Sequence, residues 1–286
     1  MAFAGIAFIL SIIIGVPIAF VLGITGTLHV ASIDPNLISV IPQRIFAGVN
    51  SSSLSAIPFF IIAGELMNGS GVTEKLLGFV RNLIGWIKGG LGYATILIAA
   101  ILSAVLGSPN AVSSILCKTM IPALKEDGYE KEFSGALIAA AGVIDIIPPS
   151  SMLVIFAVVG GLSIQTLFAA AIIPGLLIGV GYAIVVAIYI RRNKLTNNNF
   201  SFSGKRLVIS FGAAIPALLV PTVMIGGTMS GIFTPTESGA VACVAAILAG
   251  IIYKSFDFKQ LPAMLGKATC SSAVILFIIA MGNIMG

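Results

Sequence analysis

The sequence contains little charge. Asp, Glu, Lys and Arg make up 9% of its 286 residues, whereas 58% are hydrophobic. Soluble domains carry about 25% charged residues, so this chain has too few to cover a water-exposed surface. We expect lipid to contact much of its outside and predict an all-α polytopic membrane protein. The net charge of +5 then bears on loop orientation, and we predict no nucleic-acid partner.

Residue types that serve catalysis and metal binding are also scarce. His29 is the only histidine, and the three cysteines (Cys117, Cys243 and Cys270) are far apart in the chain. They fit neither a disulfide framework nor a metal-ligand spacing, so we interpret them as small apolar residues. No Gly-rich phosphate loop ending in Lys-Ser or Lys-Thr is present. We therefore predict that the protein is not an enzyme.

Long apolar segments define the predicted spans, since a crossing needs about 20 residues. The first segment, residues 2–30, is too long for a signal-peptide core and lacks preceding basic residues. We therefore expect it to be retained, with a bend at Gly15 and Pro17. Residues 36–49, 54–68 and 72–88 mix polar and apolar faces, which is typical of interfacial or scaffold helices. The predicted spans are 2–30, 91–106, 171–190, 207–228, 237–253 and 269–286.

The segment 191–206 sets the predicted orientation. It contains five basic residues and no acid. Basic loops stay on the cytoplasmic side of a membrane. We therefore predict that this loop is cytoplasmic and connects two halves of the chain.

Residues 141–150 (AGVIDIIPPS) interrupt an apolar region with an acid and two prolines. Pro148 and Pro149 have no N–H group, so the carbonyls of Ile144 and Asp145 would lose their helical partners. Such a break is tolerated at membrane depth only inside protein or beside a wet cavity. It predicts a broken helix typical of transporters, with carbonyls available to a small cation. Asp145 is a functional candidate because acids are costly in a membrane, the alternative being a helix end that reaches interfacial water.

Residues 106–111 (LGSPNA) form a second interruption. Ser108 is suited to cap a helix that begins at Pro109 and runs to about Met120. Short helices joined by this tip indicate a re-entrant hairpin, whose helix N-terminus would favour anions. A surface loop joining two short spans fits the residues equally well.

Other polar residues have structural interpretations. Glu237 completes a capping box with Thr234, and Glu65 is expected near a helix end. Ser271 and Ser272 either line a polar surface or bond back to their own helix.

Five short motifs, in this order, resemble the large membrane subunit of tripartite ATP-independent periplasmic (TRAP) transporters. A single match of this length carries little weight, whereas five in order are specific. The resemblance spans the whole chain. The motifs are residues 15–20 (GVPIAF), 58–67 (PFFIIAGELM), 147–150 (IPPS), 173–176 (IPGL) and 231–237 (GIFTPTE).

The resemblance implies a sodium-driven importer of organic acids in the bacterial inner membrane, an inverted-repeat transporter with an elevator motion. Its expected partners are a small membrane subunit and a periplasmic substrate-binding protein. The implied parts are residues 1–90 (N-terminal span and scaffold), 91–170 (hairpin and broken helix of a transport domain), 171–230 (connecting spans) and 231–286 (start of a second repeat).

Site residues follow from the same resemblance. The tip and the broken helix belong to the implied transport domain, where hydroxyl, amide and carbonyl oxygens suit a hard cation. The implied substrate-binding residues are Ser108, Pro109, Asn110, Asp145 and Ser150. The implied sodium ligands are Ser108, Asn110, Gly142, Ile144 and Asp145.

The chain departs from the family pattern at three places. The family usually has Ser-Gly-Ser-Ala at residues 106–109, and a glycine and a proline at Asp145 and Ile146. Asp145 is thus a candidate for substrate specificity or proton coupling. The family's second repeat should continue beyond Gly286 into another hairpin and another proline-proline break. We therefore expect a fragment or half of a split subunit, with an incomplete second repeat.

Three alternatives remain open from the sequence. One is a stand-alone sodium- or proton-coupled anion transporter that needs no binding protein. Another is an intramembrane aspartyl protease built on Asp145, which would need a second carboxylate within reach. The third is a scaffold or assembly piece without transport activity.

Overall fold

The fold is helical throughout the part of the chain that the computed structural model describes, residues 2–195 and 203–285. These residues form helices and short 3₁₀ turns and contain no β-strand, which confirms the predicted all-α class. The helices are α1 (Ala2–Ile13), α2 (Ile18–Ile33), α3 (Ile41–Val49), α4 (Ala56–Gly69), α5 (Val72–Ile84), α6 (Gly90–Leu106), α7 (Pro109–Glu126), α8 (Lys131–Ala141), α9 (Ser151–Val159), α10 (Ile164–Arg192), α11 (Gly204–Met229), α12 (Pro235–Ile252) and α13 (Leu261–Gly282).

Several of these helices are long and apolar enough to cross a membrane. In the described residues, four qualify by themselves: α10, α11, α12 and the stretch Phe258–Gly282. Two bent pairs raise the number to six if each pair is one span: Pro35–Val49 with Ser52–Gly69, bent by 55°, and Lys131–Ile146 with Ser151–Val159, bent by 42°. The protein is a multi-pass membrane protein, as the composition predicted.

The first predicted span is two helices, α1 and α2. Residues 14–17 separate them, and Gly15 has a φ of +85°, which glycine adopts without steric cost. Pro17 follows with a φ of −55° and precedes α2. The expected bend is therefore a complete interruption at the predicted residues.

Three helices differ from the prediction by six or more residues at one end, among them α13, which begins at Leu261 instead of residue 269. Helix α10 begins at Ile164 instead of residue 171 because the Ser163 Oγ accepts a hydrogen bond from the Thr166 N–H at 3.4 Å. It therefore crosses the predicted boundary at residue 170. Helix α7 continues to Glu126, past the predicted end at Met120, because its last turns bury Leu124 in the core.

Helices α4 and α12 run parallel in one register. The Thr236 hydroxyl donates to the Ser52 carbonyl at 3.1 Å, and the Cys243 thiol donates to the Phe59 carbonyl at 3.3 Å. Gly239 faces Phe59 so closely that an added Cβ would lie 2.7 Å from the Phe59 Cβ. Beyond the helix ends, the Ser255 hydroxyl donates to a carbonyl at Ser70. We call this set of contacts the α4–α12 ladder.

The predicted interfacial segments become α3, α4 and α5 with short 3₁₀ turns before α3 and α4. Helix α5 packs against α11, where the rings of Phe79 and Phe211 are 5.5 Å apart. Helix α13 packs against α2, α3 and α4, while α6–α10 form a neighbouring group. The division of the chain into functional parts stays a prediction.

The predicted cytoplasmic loop lies between α10 and α11. Helix α10 ends at Arg192, and Ser203 caps α11 through a hydrogen bond from the Arg206 N–H at 3.5 Å. Residues 196–202 of this loop lie outside the described residues. Its cytoplasmic location stays a prediction.

Candidate functional site

Helices α6 and α7 form a hairpin whose tip comprises residues 106–111. Gly107 has a φ of +55°, which ends α6, and Ser108 is extended. The Ser108 Oγ accepts a hydrogen bond from the Ala111 N–H at 3.5 Å, and its carbonyl accepts one from the Val112 N–H at 3.1 Å. Ser108 is therefore the cap of α7 and Pro109 its first residue, as predicted.

The tip contacts the start of α9 and residue 142 of the broken helix. The Ser151 hydroxyl at the start of α9 donates to the Gly107 carbonyl at 2.9 Å. A Cβ added at Gly142 would lie 2.4 Å from the Ser113 Oγ and 3.4 Å from the Pro109 carbonyl. A larger residue at 142 would require the Ser113 side chain to move. These contacts attach the tip to the broken helix, while the re-entrant position of the hairpin in the membrane stays a prediction.

The broken helix has the predicted location. Helix α8 ends at Ala141, a 3₁₀ turn covers Gly142–Ile146, and α9 begins at Ser151. The predicted loss of backbone partners is only partly correct, because the Ile144 carbonyl accepts a hydrogen bond from the Ile147 N–H at 2.9 Å. The 3₁₀ turn supplies this bond one residue earlier than an α-helix would. The Ile144 carbonyl is therefore already engaged by the protein backbone.

Asp145 lies inside this broken helix and is 5% exposed. Its carboxylate accepts hydrogen bonds from the Ser103 Oγ on α6 at 3.0 Å and from the Ser150 Oγ at 3.4 Å. Buried acids need such donors to offset lost hydration. Asp145 thus links the hairpin to both sides of the break.

A polar cavity of about 250 Å³ lies at the tip. Four parts of the chain supply its polar groups, although they are distant in sequence. The apolar lining includes Ile61, Met152, Ile155 and Ile275. The polar side chains are Glu65 and Asn68 of α4, Ser108 and Asn110 of the tip, Ser151 of α9 and Ser271 of α13.

The predicted substrate-binding residues divide between two cavities. Ser108, Pro109 and Asn110 line the tip cavity. Asp145 and Ser150 line a second cavity of about 690 Å³, which Pro109 also borders. Gly142 packs beneath the tip and Ile144 borders an apolar cavity with α10. Among the described residues that line the second cavity, Asp145 is the single acid, so the second carboxylate that a protease requires does not line it.

Sequence reasoning missed three residues of the tip cavity. Asn68 and Ser151 were not singled out, and Glu65 was assigned a structural role. Glu65 does lie near the end of α4, but it also borders the tip cavity. The sequence signal for Ser151 is its place directly after the break, beside Ser150.

The remaining polar predictions are settled by hydrogen bonds and cavity lining. Glu237 and Thr234 form the predicted capping box, with bonds of 2.8 and 3.3 Å between side chains and backbone N–H groups. Ser272 bonds back to the Ala268 carbonyl at 2.7 Å, whereas Ser271 borders the tip cavity. Each of the two interpretations thus applies to one serine.

Comparison with known proteins gives one consistent family. Residues 6–286 match the family described as "Tripartite ATP-independent periplasmic transporter, DctM component". The chain is 39% identical over 279 residues to a protein of Haemophilus influenzae named as a TRAP transporter large permease. It is 35% identical over 275 residues to the 2,3-diketo-L-gulonate TRAP transporter large permease protein YiaN of Escherichia coli. It is 32% identical over 261 residues to the C4-dicarboxylate TRAP transporter large permease protein DctM of Pseudomonas aeruginosa.

These similarities cover nearly all of this chain but only part of each relative. The matches to the first two span 96% of this chain, with 65% and 64% of the respective relatives. The match to the third spans 91% of this chain and 61% of the relative. The chain therefore spans less than two thirds of the length of these relatives.

Proposed function

Because the chain belongs to the DctM family of TRAP transporter large permeases, we propose that it is the permease subunit of a sodium-coupled importer of organic acids. A periplasmic binding protein delivers the substrate, and a small membrane subunit completes the scaffold. The assembly lies in a bacterial inner membrane and works by an elevator motion. Two relatives are named for transport of organic acids, 2,3-diketo-L-gulonate and C4-dicarboxylates, which supports a carboxylate substrate.

The tip cavity is the observation that carries this proposal. It combines the N-terminus of α7 with side-chain amides, hydroxyls and one carboxylate. Groups of this kind orient a small polar ligand, while the apolar lining excludes water. A volume of about 250 Å³ is suited to a compact organic acid.

The anion-binding part of the cavity is the start of α7. Pro109 has no N–H group, and the Ala111 N–H donates to Ser108. The Asn110 N–H therefore remains available at the positive end of the helix dipole. We assign the substrate carboxylate to this N–H and to the amide of Asn110, which is exposed in the cavity.

Charge balance supports a coupling cation. Glu65 borders the same cavity, so a substrate carboxylate would meet a second negative charge in surroundings of low dielectric constant. A cation between the two reduces that repulsion. Sodium prefers oxygen ligands, and in the tip cavity we propose the Ser108 hydroxyl and the Asn110 side-chain oxygen. Gly142 and Asp145 do not line this cavity, so their carbonyls would bind a cation only from the side of the broken helix. The Ile144 carbonyl contributes less because it already accepts a backbone hydrogen bond.

Asp145 has a different part in this proposal. Its carboxylate is directed to Ser103 and Ser150 and borders the second cavity. Through these hydrogen bonds it holds the broken helix against α6, and it thereby supports the tip cavity without lining it. Direct substrate contact and proton coupling by Asp145 are the competing roles, and both predict a stronger effect of Asp145→Asn on substrate affinity or pH dependence than on stability.

The test is uptake of radiolabelled organic acids into proteoliposomes, with and without an inward sodium gradient. The chain is expressed in its full natural length, with its small membrane subunit and binding protein. We expect uptake that requires both sodium and the binding protein. Uptake without the binding protein would instead identify a stand-alone anion transporter, and uptake driven equally well by a proton gradient would exclude sodium coupling.

Variants measured in the same uptake assay test which residues of the tip cavity bind the substrate and the cation. We expect Asn110→Ala to raise the substrate KM about tenfold, which corresponds to about 1.4 kcal/mol. Glu65→Gln should weaken the dependence on sodium, because the charge that favours the cation is removed. Glu74→Gln is the matched control, since Glu74 is exposed on α5 and does not line the tip cavity. If the control has the same effect as Glu65→Gln, the tip cavity is not the coupling site.

A further inference from the structure

A further cavity, which we call the base cavity, lies at the end of the α6–α7 hairpin opposite the tip and is lined by charged side chains. It has a volume of about 410 Å³ and is formed by α5, the start of α6 and the last turns of α7. Two basic side chains, Arg81 and Lys118, border it together with the acids Glu126 and Asp127. The tip cavity shares none of these residues.

The charged groups of this base cavity lack partners within the described residues. The Arg81 Nε is buried and has no hydrogen-bond partner. Asp127 is 7% exposed, and no described residue donates a hydrogen bond to its carboxylate. No ion pair within 4.0 Å joins the four charged side chains to one another or to other described residues. Arg81 and Asp127 therefore provide a donor and an acceptor that have no partner among the described residues, and an unpaired polar group is costly to bury.

We propose that the base cavity binds a zwitterionic group that carries a phosphate and a primary amine, the chemistry of phosphoethanolamine. The phosphate accepts hydrogen bonds from Arg81 and Lys118, because guanidinium and ammonium groups are strong phosphate donors. The amine donates to Asp127 and Glu126. A simple anion would leave Asp127 unpaired, and a simple cation would leave Arg81 unpaired.

The position of the cavity favours a phospholipid as the source. Gly89, just before α6, packs against Ile190 near the end of α10, where Arg191 and Arg192 follow. Trp86 is 43% exposed on the same loop. Tryptophan and basic residues concentrate at the lipid headgroup level, and basic pockets between helices bind lipid phosphates. Lys118 and Glu126 are exposed at the rim, which leaves the cavity open to a headgroup.

Native mass spectrometry on the purified full-length complex tests this site. Delipidated protein is titrated with phosphatidylethanolamine, phosphatidylcholine or phosphatidylglycerol, and separately with soluble O-phosphoethanolamine. We expect phosphatidylethanolamine to bind about tenfold tighter than the other two lipids, since phosphatidylcholine has no N–H donor and phosphatidylglycerol has no amine. Binding of soluble O-phosphoethanolamine at equal affinity would support the same chemistry but assign a soluble source. Equal binding of the three lipids with no binding of the soluble compound would overturn the proposal.

Three variants and one control assign the binding to the cavity. Arg81→Gln should lower the affinity for phosphatidylethanolamine about tenfold, and Lys118→Gln, at an exposed residue, provides the same test without removing a buried group. Asp127→Asn should abolish the preference over phosphatidylglycerol while phosphate binding persists. Lys131→Gln is the control, because Lys131 is exposed at the start of α8 and does not line the cavity. Unchanged affinity in both Lys118→Gln and Asp127→Asn would show that the lipid binds elsewhere.

Discussion

The two ends of the α6–α7 hairpin are built on different principles. At the tip, polar groups surround a cavity, and one hydroxyl bond from Ser151 to Gly107 at 2.9 Å attaches the tip to α9. At the base, stacked aromatic rings join the chain after α7 to α10. Polar contacts around a cavity are exchangeable with a ligand, whereas aromatic packing is not. One hairpin thus has a polar cavity at its tip and aromatic packing at its base.

The aromatic packing at the base centres on Tyr129, Phe133 and Tyr189. The rings of Phe133 and Tyr189 are stacked with centroids 3.6 Å apart, and Tyr129 stacks on Tyr189 at 5.7 Å. The Tyr129 hydroxyl also donates to the Gly89 carbonyl at 2.9 Å. Tyr129 is 3% exposed, so its ring and its hydroxyl both find partners inside the protein. We call this group the aromatic anchor.

Removing the aromatic anchor should have the largest effect. Tyr129→Ala deletes a buried ring and its hydrogen bond, and we expect a loss of about 3–5 kcal/mol in the free energy of unfolding. Thermal unfolding of the purified protein measures this loss. Tyr129→Phe keeps the ring and removes one hydrogen bond, which should cost about 1 kcal/mol. Similar losses in the two variants would show that the rings contribute little.

Crowding the tip should affect uptake more than stability. Gly142→Ala places a methyl group against Ser113 and the Pro109 carbonyl, and overpacking of this kind costs about 1–3 kcal/mol. We expect about a tenfold decrease in uptake with a thermal midpoint closer to wild type than that of Tyr129→Ala.

The double variant Gly142→Ala/Ser113→Gly sharpens this test. Ser113→Gly removes the hydroxyl that the new methyl group would contact, so uptake should recover in part. Gly135→Ala in α8 is the control, because an added Cβ there has no neighbour within 4 Å. A decrease in uptake in the control as large as in Gly142→Ala would mean that helix composition, and not crowding of the tip, is responsible.

Asp127 should produce the smallest effect, and one that depends on pH. Burial raises the pKa of Asp127 from 3.8 to about 6. Since the folded state then holds the proton more tightly than the unfolded state, stability is greatest below about pH 4 and decreases as the pH rises through about 6. In lipid-free detergent at pH 7.5, Asp127→Asn should raise the thermal midpoint by about 3 °C, or about 1 kcal/mol. The difference should vanish as the pH falls toward 4, and a constant difference at every pH would contradict this cause.

Local sequence was sufficient for the ends and interruptions of many helices. The cap at Ser108, the break after Ala141 and the capping box at Thr234 were predictable because each depends on residues within a few positions. The bound of α7 was not, because Leu124 is held in the helix by core packing. The start of α10 at Ile164 was predicted seven residues too late, although the Ser163 side chain that caps this helix is a local signal.

The composition of the tip cavity needed tertiary structure. Glu65 and Ser271 are separated by about two hundred residues in the sequence, and only the packing of α13 on α4 brings them to one cavity. The base cavity has the same origin, since Arg81 lies on α5 and Asp127 directly follows α7, with no sequence motif in common. Asp145 was predictable as an unusual acid, but its bond to Ser103, 42 residues away, was not.

The α4–α12 ladder also sets the order of events during synthesis. Its bonded residues are separated by a nearly constant distance in sequence, 184 residues for Ser52 with Thr236 and for Phe59 with Cys243. At translation rates of about 5–20 residues per second, α4 waits on the order of ten seconds or more for its partner. Because a helix satisfies its own backbone, α4 can remain in lipid during that interval. The arrival of α12 then completes its polar contacts, so the ribosome's progress determines when this part of the fold is assembled.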